Sequence, residues 1–166
     1  MSAVPATVAA APLSAEAFRP YGDVIEAAGA ADMMINGGRC ARYHDRARLS
    51  FEDGGRAGVS LFRTRAVDVP CTVALMERHP LGSQTFMPMS AAPFLVVVAP
   101  DDAGKPGQPR AFLTRPHQGV SYLENVWHAP LLALEDGAIF TVIDRIGGGN
   151  NLEEYTLPAP FTVTTG

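Results

Sequence analysis

The chain has little of what would mark it for a membrane, a nucleic acid or a disulfide framework. Its 166 residues include only two cysteines, Cys40 and Cys71. They lie in no CxxC pair and no zinc-spaced set, so neither a disulfide scaffold nor a zinc finger is expected, and a reduced, cytoplasmic setting is the reading. No apolar run reaches the ~18 residues that would span a bilayer. The longest, Phe94 to Ala99, has the length of a strand. Basic residues are few and scattered: 13 Lys+Arg against 17 Asp+Glu give a formal charge of −4, without the clustered stripe that phosphate-backbone binding needs. Nucleic acid is therefore not an expected partner. The start, MSAVPATVAAAPLS, has no basic residue before Arg19 and no strongly apolar core of about 7–15 residues. It reads as a loosely ordered beginning over residues 1–11 and not as a signal peptide.

Helical periodicity is equally scarce. Ser14 is a good N-cap for one short helical turn through Ala15, Glu16, Ala17 and Phe18, which Pro20 and Gly22 then stop. Beyond Asp23, 16 Gly and 14 Pro punctuate short β-branched or aromatic runs. Strands are expected near 23–27, 39–44, 58–67, 71–79, 83–89, 93–99, 110–115, 119–126, 130–135, 138–145 and 153–157. The polar stretch from Pro100 to Pro109 reads as a hairpin excursion. Regularly spaced strands with no internal repeat and no linker indicate an all-β sandwich or barrel, and one domain over 1–166. A chain of this size buries roughly 70% of its unfolded surface and folds without covalent staples.

Two segments carry the chemistry, ERHPLGSQTFMPM from Glu77 to Met89 and GVSYLENVWHAPL from Gly119 to Leu131. Side chains two apart on a strand share a face, so Glu77 and His79 point the same way. After the turn at Pro80-Leu81-Gly82, Gln84 can join them, and His128 would arrive from the second segment. Two imidazoles, a carboxylate and an amide oxygen suit acid–base work near neutrality. The same set, Glu77, His79, Gln84 and His128, can hold a divalent ion such as Ni²⁺, Mn²⁺ or Zn²⁺. Arg42 in RYHD, or Arg63, which shares a face with Arg65, can clamp a carboxylate. Asp144 and Arg145 alternate, so at most one of them looks inward.

The two segments resemble the paired half-motifs of a cupin, in which His-x-His, a following Glu and a distant third His bind a metal. Here one His is replaced by Glu77 and the Glu by Gln84. More closely, the chain resembles the ureidoglycolate lyase family, formerly called ureidoglycolate hydrolase. The resemblance rests on PLSAEAFRPYGDVIE, ING at 35–37, RYHD at 42–45, ERHPLG with Q-x-F-x-P-M, FLVVVA, NVWHxPL and IDR at 143–145. It implies a cupin-type jelly-roll β-barrel with a short N-terminal helix, a homodimer, and cleavage of (S)-ureidoglycolate to glyoxylate and urea in purine nitrogen catabolism. It implies no organic cofactor. The motif residues it carries over are Arg42, Tyr43, His44, Glu77, Arg78, His79, Gln84, Trp127, His128 and Asp144. Of these, His79, His128 and Glu77 are the expected catalytic groups, while Arg42, Tyr43, Gln84 and Trp127, together with Arg63, are expected to contact substrate.

Three other functions share these features. An amidohydrolase would release ammonia from ureidoglycolate, a non-catalytic cupin would bind a small acid without changing it, and an oxygenase or isomerase would need a metal. Gln84 in place of the usual carboxylate weighs against an oxygenase iron site.

Overall fold

The computed structural model describes residues 6–166. Nearly all of its regular structure is strand, as expected, and it forms two facing sheets of a cupin-type barrel. The first sheet runs, in spatial order, Thr7–Ala9, Glu153–Thr164, Cys71–Arg78, Trp127–His128, Phe94–Ala99, Arg110–Leu113 and Ala11–Pro12, with Leu132–Ala133 also paired to Phe94–Ala99. The second runs Gly22–Ile25, Gly119–Tyr122, Gln84–Pro88, Ile139–Ile146 and Arg56–Arg63.

The strand Phe94–Ala99 is buried along its whole length because it has a core on each side. Phe94, Val96 and Val98 join Phe18, Phe86, Phe112, Tyr122 and Phe140 between the sheets. Leu95, Val97 and Ala99 join Met76, Trp127 and Phe161 in a second cluster. A strand buried on both faces carries a continuous apolar run, as FLVVVA does. Phe94 meets Phe140 edge-on at 5.0 Å, a favoured aromatic geometry.

The helix Ala15–Phe18 is capped as the sequence predicts, with the Ala17 amide donating to the Ser14 hydroxyl at 3.3 Å. Its purpose is to deliver Phe18, fully buried against Phe112, Tyr21 and Tyr122. Burial of a phenyl ring stabilises by about 1.5–3 kcal/mol. Where the chain leaves the helix, Gly22 lies so close to Ser121 that any β-carbon would overlap the Ser121 carbonyl.

Four expectations are corrected. The N-terminal segment is not loose over residues 7–12: Thr7–Ala9 pairs in parallel with Thr162–Thr164, and Ala11–Pro12 pairs in parallel with Phe112–Leu113. These partners lie at opposite edges of the first sheet, so one short segment covers both edges and nearly closes it. Residues 1–5 lie outside the described residues. The last strand continues past Leu157 to Thr164 because a register shift between Thr156 and Phe161 accommodates Pro158 and Pro160. Cys40–Arg42 pairs with Met33–Ile35, a strand absent from the sequence reading. Finally, the strand expected over 119–126 stops at Tyr122. Asn125 adopts a left-handed φ of 61°, and the chain crosses to the other sheet as Trp127–His128. The Pro100–Pro109 excursion is the expected hairpin, Asp101–Asp102 against Lys105–Pro106.

Candidate active site

The switch at Asn125 positions the site. Tyr122 ends a strand of the second sheet in register with Gln84, while His128 enters the first sheet directly opposite Glu77. Antiparallel partners project from the same face, and His79 follows Glu77 by two residues. Three groups of one sheet, Glu77, His79 and His128, therefore face Gln84 and Tyr122 of the other. The imidazole centroids of His79 and His128 are 5.3 Å apart. His128 stacks flat on Tyr122, centroids 4.2 Å apart and planes 10° from parallel.

The hydrogen bonds fix the histidine tautomers. His79 Nδ1 is 2.7 Å from the Asn151 carbonyl oxygen, and His128 Nδ1 is 2.9 Å from that of Val126. A carbonyl only accepts, so Nδ1 of each ring carries a proton and Nε2 is the atom turned to the site. Both Nε2 atoms are buried without a hydrogen-bond partner, and so is Gln84 Oε1. A buried polar atom left unpaired is costly. Three such atoms in one cluster mark a place where a ligand completes the bonding.

Glu77 supplies the charge. Its Oε1 lies 3.5 Å from His128 Nε2 and 4.0 Å from His79 Nε2. Contact with His128, foremost, and the nearness of His79 hold the Glu77 carboxyl below its ordinary value, against the opposing effect of burial. His79 is pushed below its ordinary value of 6.5 by burial first and by the neighbouring His128 second, with Asn151, Glu77 and Asp144 pulling the other way. Burial, foremost, and the charge of Glu77 raise the Tyr122 phenol far above its ordinary range, so it stays protonated. Perturbed groups gathered at a cleft are a signature of function.

A cavity of about 520 Å³ opens beside these groups, lined by Glu77 and Gln84 inside and by Phe62, Arg63, Arg65 and Leu131 toward solvent. Its size is that of a small-molecule site. Another depression of about 460 Å³ lies beside the helix, lined by Arg19, Asp23, Arg46 and Arg48. There Arg48 is engaged by Asp23 and Arg46 by Asp32.

The sequence-predicted residues are thus partly united. Glu77, His79 and His128 come together facing Gln84, and Arg63 lines the cavity shared by Glu77 and Gln84. Arg42 and Tyr43 do not: Arg42 is exposed in the small sheet with Met33–Ile35, and the Tyr43 hydroxyl donates to the Gly29 carbonyl. His44 is also exposed, its amide bound to Asp32. Trp127 alternates with His128 and points into the second core cluster, where its indole N–H donates to Asp101 at 2.9 Å and Arg78 covers the ring at 4.5 Å. The structure thus sets Arg42, Tyr43 and Trp127 apart from the cluster of Glu77, His79 and His128. Asp144 does face the site while Arg145 turns away to the carbonyls of Glu52 and Asp53, as alternation requires. Tyr122 and the Asn151 carbonyl escaped the sequence reading. Tyr122 lies within the second half-motif, where register with Gln84 was the missing signal.

Known proteins resemble this chain over most of its length. The family model described as ureidoglycolate lyase matches residues 5–164. A ureidoglycolate lyase of Rhodobacter capsulatus is 53% identical over 152 residues, 92% of this chain and 94% of the relative. One from Chelativorans sp. is 48% identical over 159 residues, covering 94% and 95%. Ureidoglycolate lyase 2 of Rhizobium meliloti is 51% identical over 155 residues, covering 92% and 94%. The chain belongs to the ureidoglycolate lyase family.

Proposed function

We propose that the protein cleaves (S)-ureidoglycolate to glyoxylate and urea. The observation that carries this reading is the convergence of two unpartnered imidazole Nε2 atoms, a carboxylate and an unpaired amide oxygen beside a cavity whose mouth holds Arg63. Ureidoglycolate carries a hydroxyl and a ureido nitrogen on one carbon. Elimination takes the hydroxyl proton, turns the C–O bond into the aldehyde C=O, breaks the C–N bond and delivers a proton to the departing nitrogen. His79 suits the first step: its Nε2 lone pair faces the site and its lowered proton affinity keeps it neutral. His128, with Glu77 beside it to stabilise an imidazolium, suits the second. Arg63, with Arg65 next to it at the mouth, suits the substrate carboxylate.

The donor set also fits a divalent ion. Glu77, His79 and His128 offer ligand atoms all within 4.8 Å of one another, and each imidazole already donates Nδ1–H to a backbone carbonyl, the arrangement that orients histidine ligands. Ni²⁺, Mn²⁺ or Zn²⁺ would be held by these three, and would supply Lewis acidity toward substrate oxygens. We read the chain as a single domain that works in the cytoplasm as a homodimer. Val59 and Leu61, exposed at 72% and 65% on the edge strand Arg56–Arg63, supply an apolar surface for a second copy.

The test is incubation of chelator-treated protein with racemic ureidoglycolate, with and without added Ni²⁺ or Mn²⁺, following urea, glyoxylate and ammonia. Urea and glyoxylate in equal amounts from one enantiomer are expected. Ammonia as the nitrogen product would establish an amidohydrolase, and intact substrate in every arm a binding protein.

A further inference from the structure

Gln84 opens the strand Gln84–Pro88, and Asp144 lies near the site end of the adjacent strand Ile139–Ile146. The Gln84 amide nitrogen donates to Asp144 Oδ2 at 3.3 Å. A carboxylate offers acceptors only, so the amide must turn its nitrogen to Asp144 and its oxygen away. That oxygen is buried and unpaired, on a residue that lines the cavity with Glu77. Without Asp144, the two orientations of the amide would be nearly equivalent in shape, and half of the possible arrangements would show donors to the site instead of an acceptor.

We propose that Asp144 is a positioning residue that locks Gln84 with its oxygen toward the bound molecule, so that Gln84 reads the terminal N–H of the ureido group. This rests on the ureidoglycolate reading and deepens it. The substrate is thereby oriented, with its ureido end at Gln84 and its carboxylate end at the exposed arginines of the cavity mouth, Arg63 and Arg65. An analogue with a methyl group in place of the terminal NH₂ leaves the buried Gln84 oxygen unpaired, which is the circumstance in which polar sites discriminate strongly.

The experiment compares two non-reacting competitive ligands, N-carbamoylglycine and N-acetylglycine. They share the carboxylate, the inner N–H and the carbonyl, differ as NH₂ against CH₃, and lack the hydroxyl that the elimination needs. The wild type is expected to prefer N-carbamoylglycine by at least ~10-fold. In Asp144→Asn the preference falls to about 3-fold or less, because asparagine can meet either end of Gln84. In the double variant Asp144→Asn with Gln84→Glu the preference returns, since a carboxylate at 84 shows an acceptor to the site whichever oxygen faces it. Full preference in D144N, or no recovery in the double variant, would overturn the proposal. If D144N does not fold, Gln84→Met with Asp144 intact must lose the preference, and its survival there would overturn the proposal equally. Wild type that cleaves ureidoglycolate but treats the two ligands alike defeats this inference alone. Wild type that neither cleaves nor binds defeats the functional reading as well.

Discussion

Glu77 and His128 face each other as direct partners across antiparallel strands, with Glu77 Oε1 3.5 Å from His128 Nε2. Two distant parts of the sequence are thereby tied into one ionisable pair by strand register, and the flat stack of Tyr122 on His128 fixes the imidazole plane from the other sheet. Glu77→Gln preserves the shape and removes the charge that would stabilise a protonated His128. A fall in kcat of about 10²-fold, with thermal unfolding close to that of the wild type, is expected from steady-state urea release and circular dichroism.

His79 gives the protein a pH-dependent stability of definite sign. Its folded-state proton affinity lies below the ordinary value of 6.5, chiefly through burial, so the unfolded chain binds the proton more readily than the folded one. The contribution is therefore complete above pH 6.5 and is lost as pH falls from there through the lower, folded value. Urea denaturation of chelator-treated protein between pH 8 and pH 5 should show the decline, and His79→Gln should flatten it.

Trp127 is a packing residue. Trp127→Phe loses the indole N–H bond to Asp101 and part of the surface under Arg78, and is expected to lower Tm by about 2–4 °C while leaving kcat/KM within about 3-fold of wild type. A large kinetic defect in a well-folded variant would restore Trp127 to the site.

Gly22→Ala places a methyl group against the Ser121 carbonyl, a backbone atom that cannot rotate away. Destabilisation of about 2 kcal/mol or more is expected, because strand pairing between Gly22–Ile25 and Gly119–Tyr122 must shift to admit it. Chemical denaturation measures it.

Deletion of residues 1–12 removes the segment that pairs with Thr162–Thr164 on one edge of the first sheet and with Phe112–Leu113 on the other. Exposed strand edges are templates for association. A lower Tm and concentration-dependent aggregation by light scattering are expected.

What could be read before folding was what local rules govern. Period-two alternation places Glu77 with His79 and separates Asp144 from Arg145, and the Pro80-Leu81-Gly82 turn returns the chain to Gln84. The short helix with its Ser14 cap and the doubly buried FLVVVA strand are local signals of the same kind. What escaped depends on partners far along the chain. The segment from Gly119 to His128 has the texture of one strand, and only the left-handed Asn125 reveals that it serves two sheets. That crossing turns Trp127 into the second core cluster while setting His128 opposite Glu77. The Ala-rich start carries no amphipathic pattern, because its order comes from backbone pairing to two other strands. RYHD is polar and compact in sequence, yet the Tyr43 hydroxyl donates to the Gly29 carbonyl and the His44 backbone amide to Asp32, outside the barrel site.

The meeting of His79 and His128 at one small acid is tested most directly by the kcat of urea release from (S)-ureidoglycolate in His79→Ala, in His128→Ala and in the double variant, each shown to be folded. Each single change should slow turnover by at least ~10²-fold, and the double should cost little more than either alone, as groups acting in one step do. Wild-type turnover in either folded single variant would contradict the shared site.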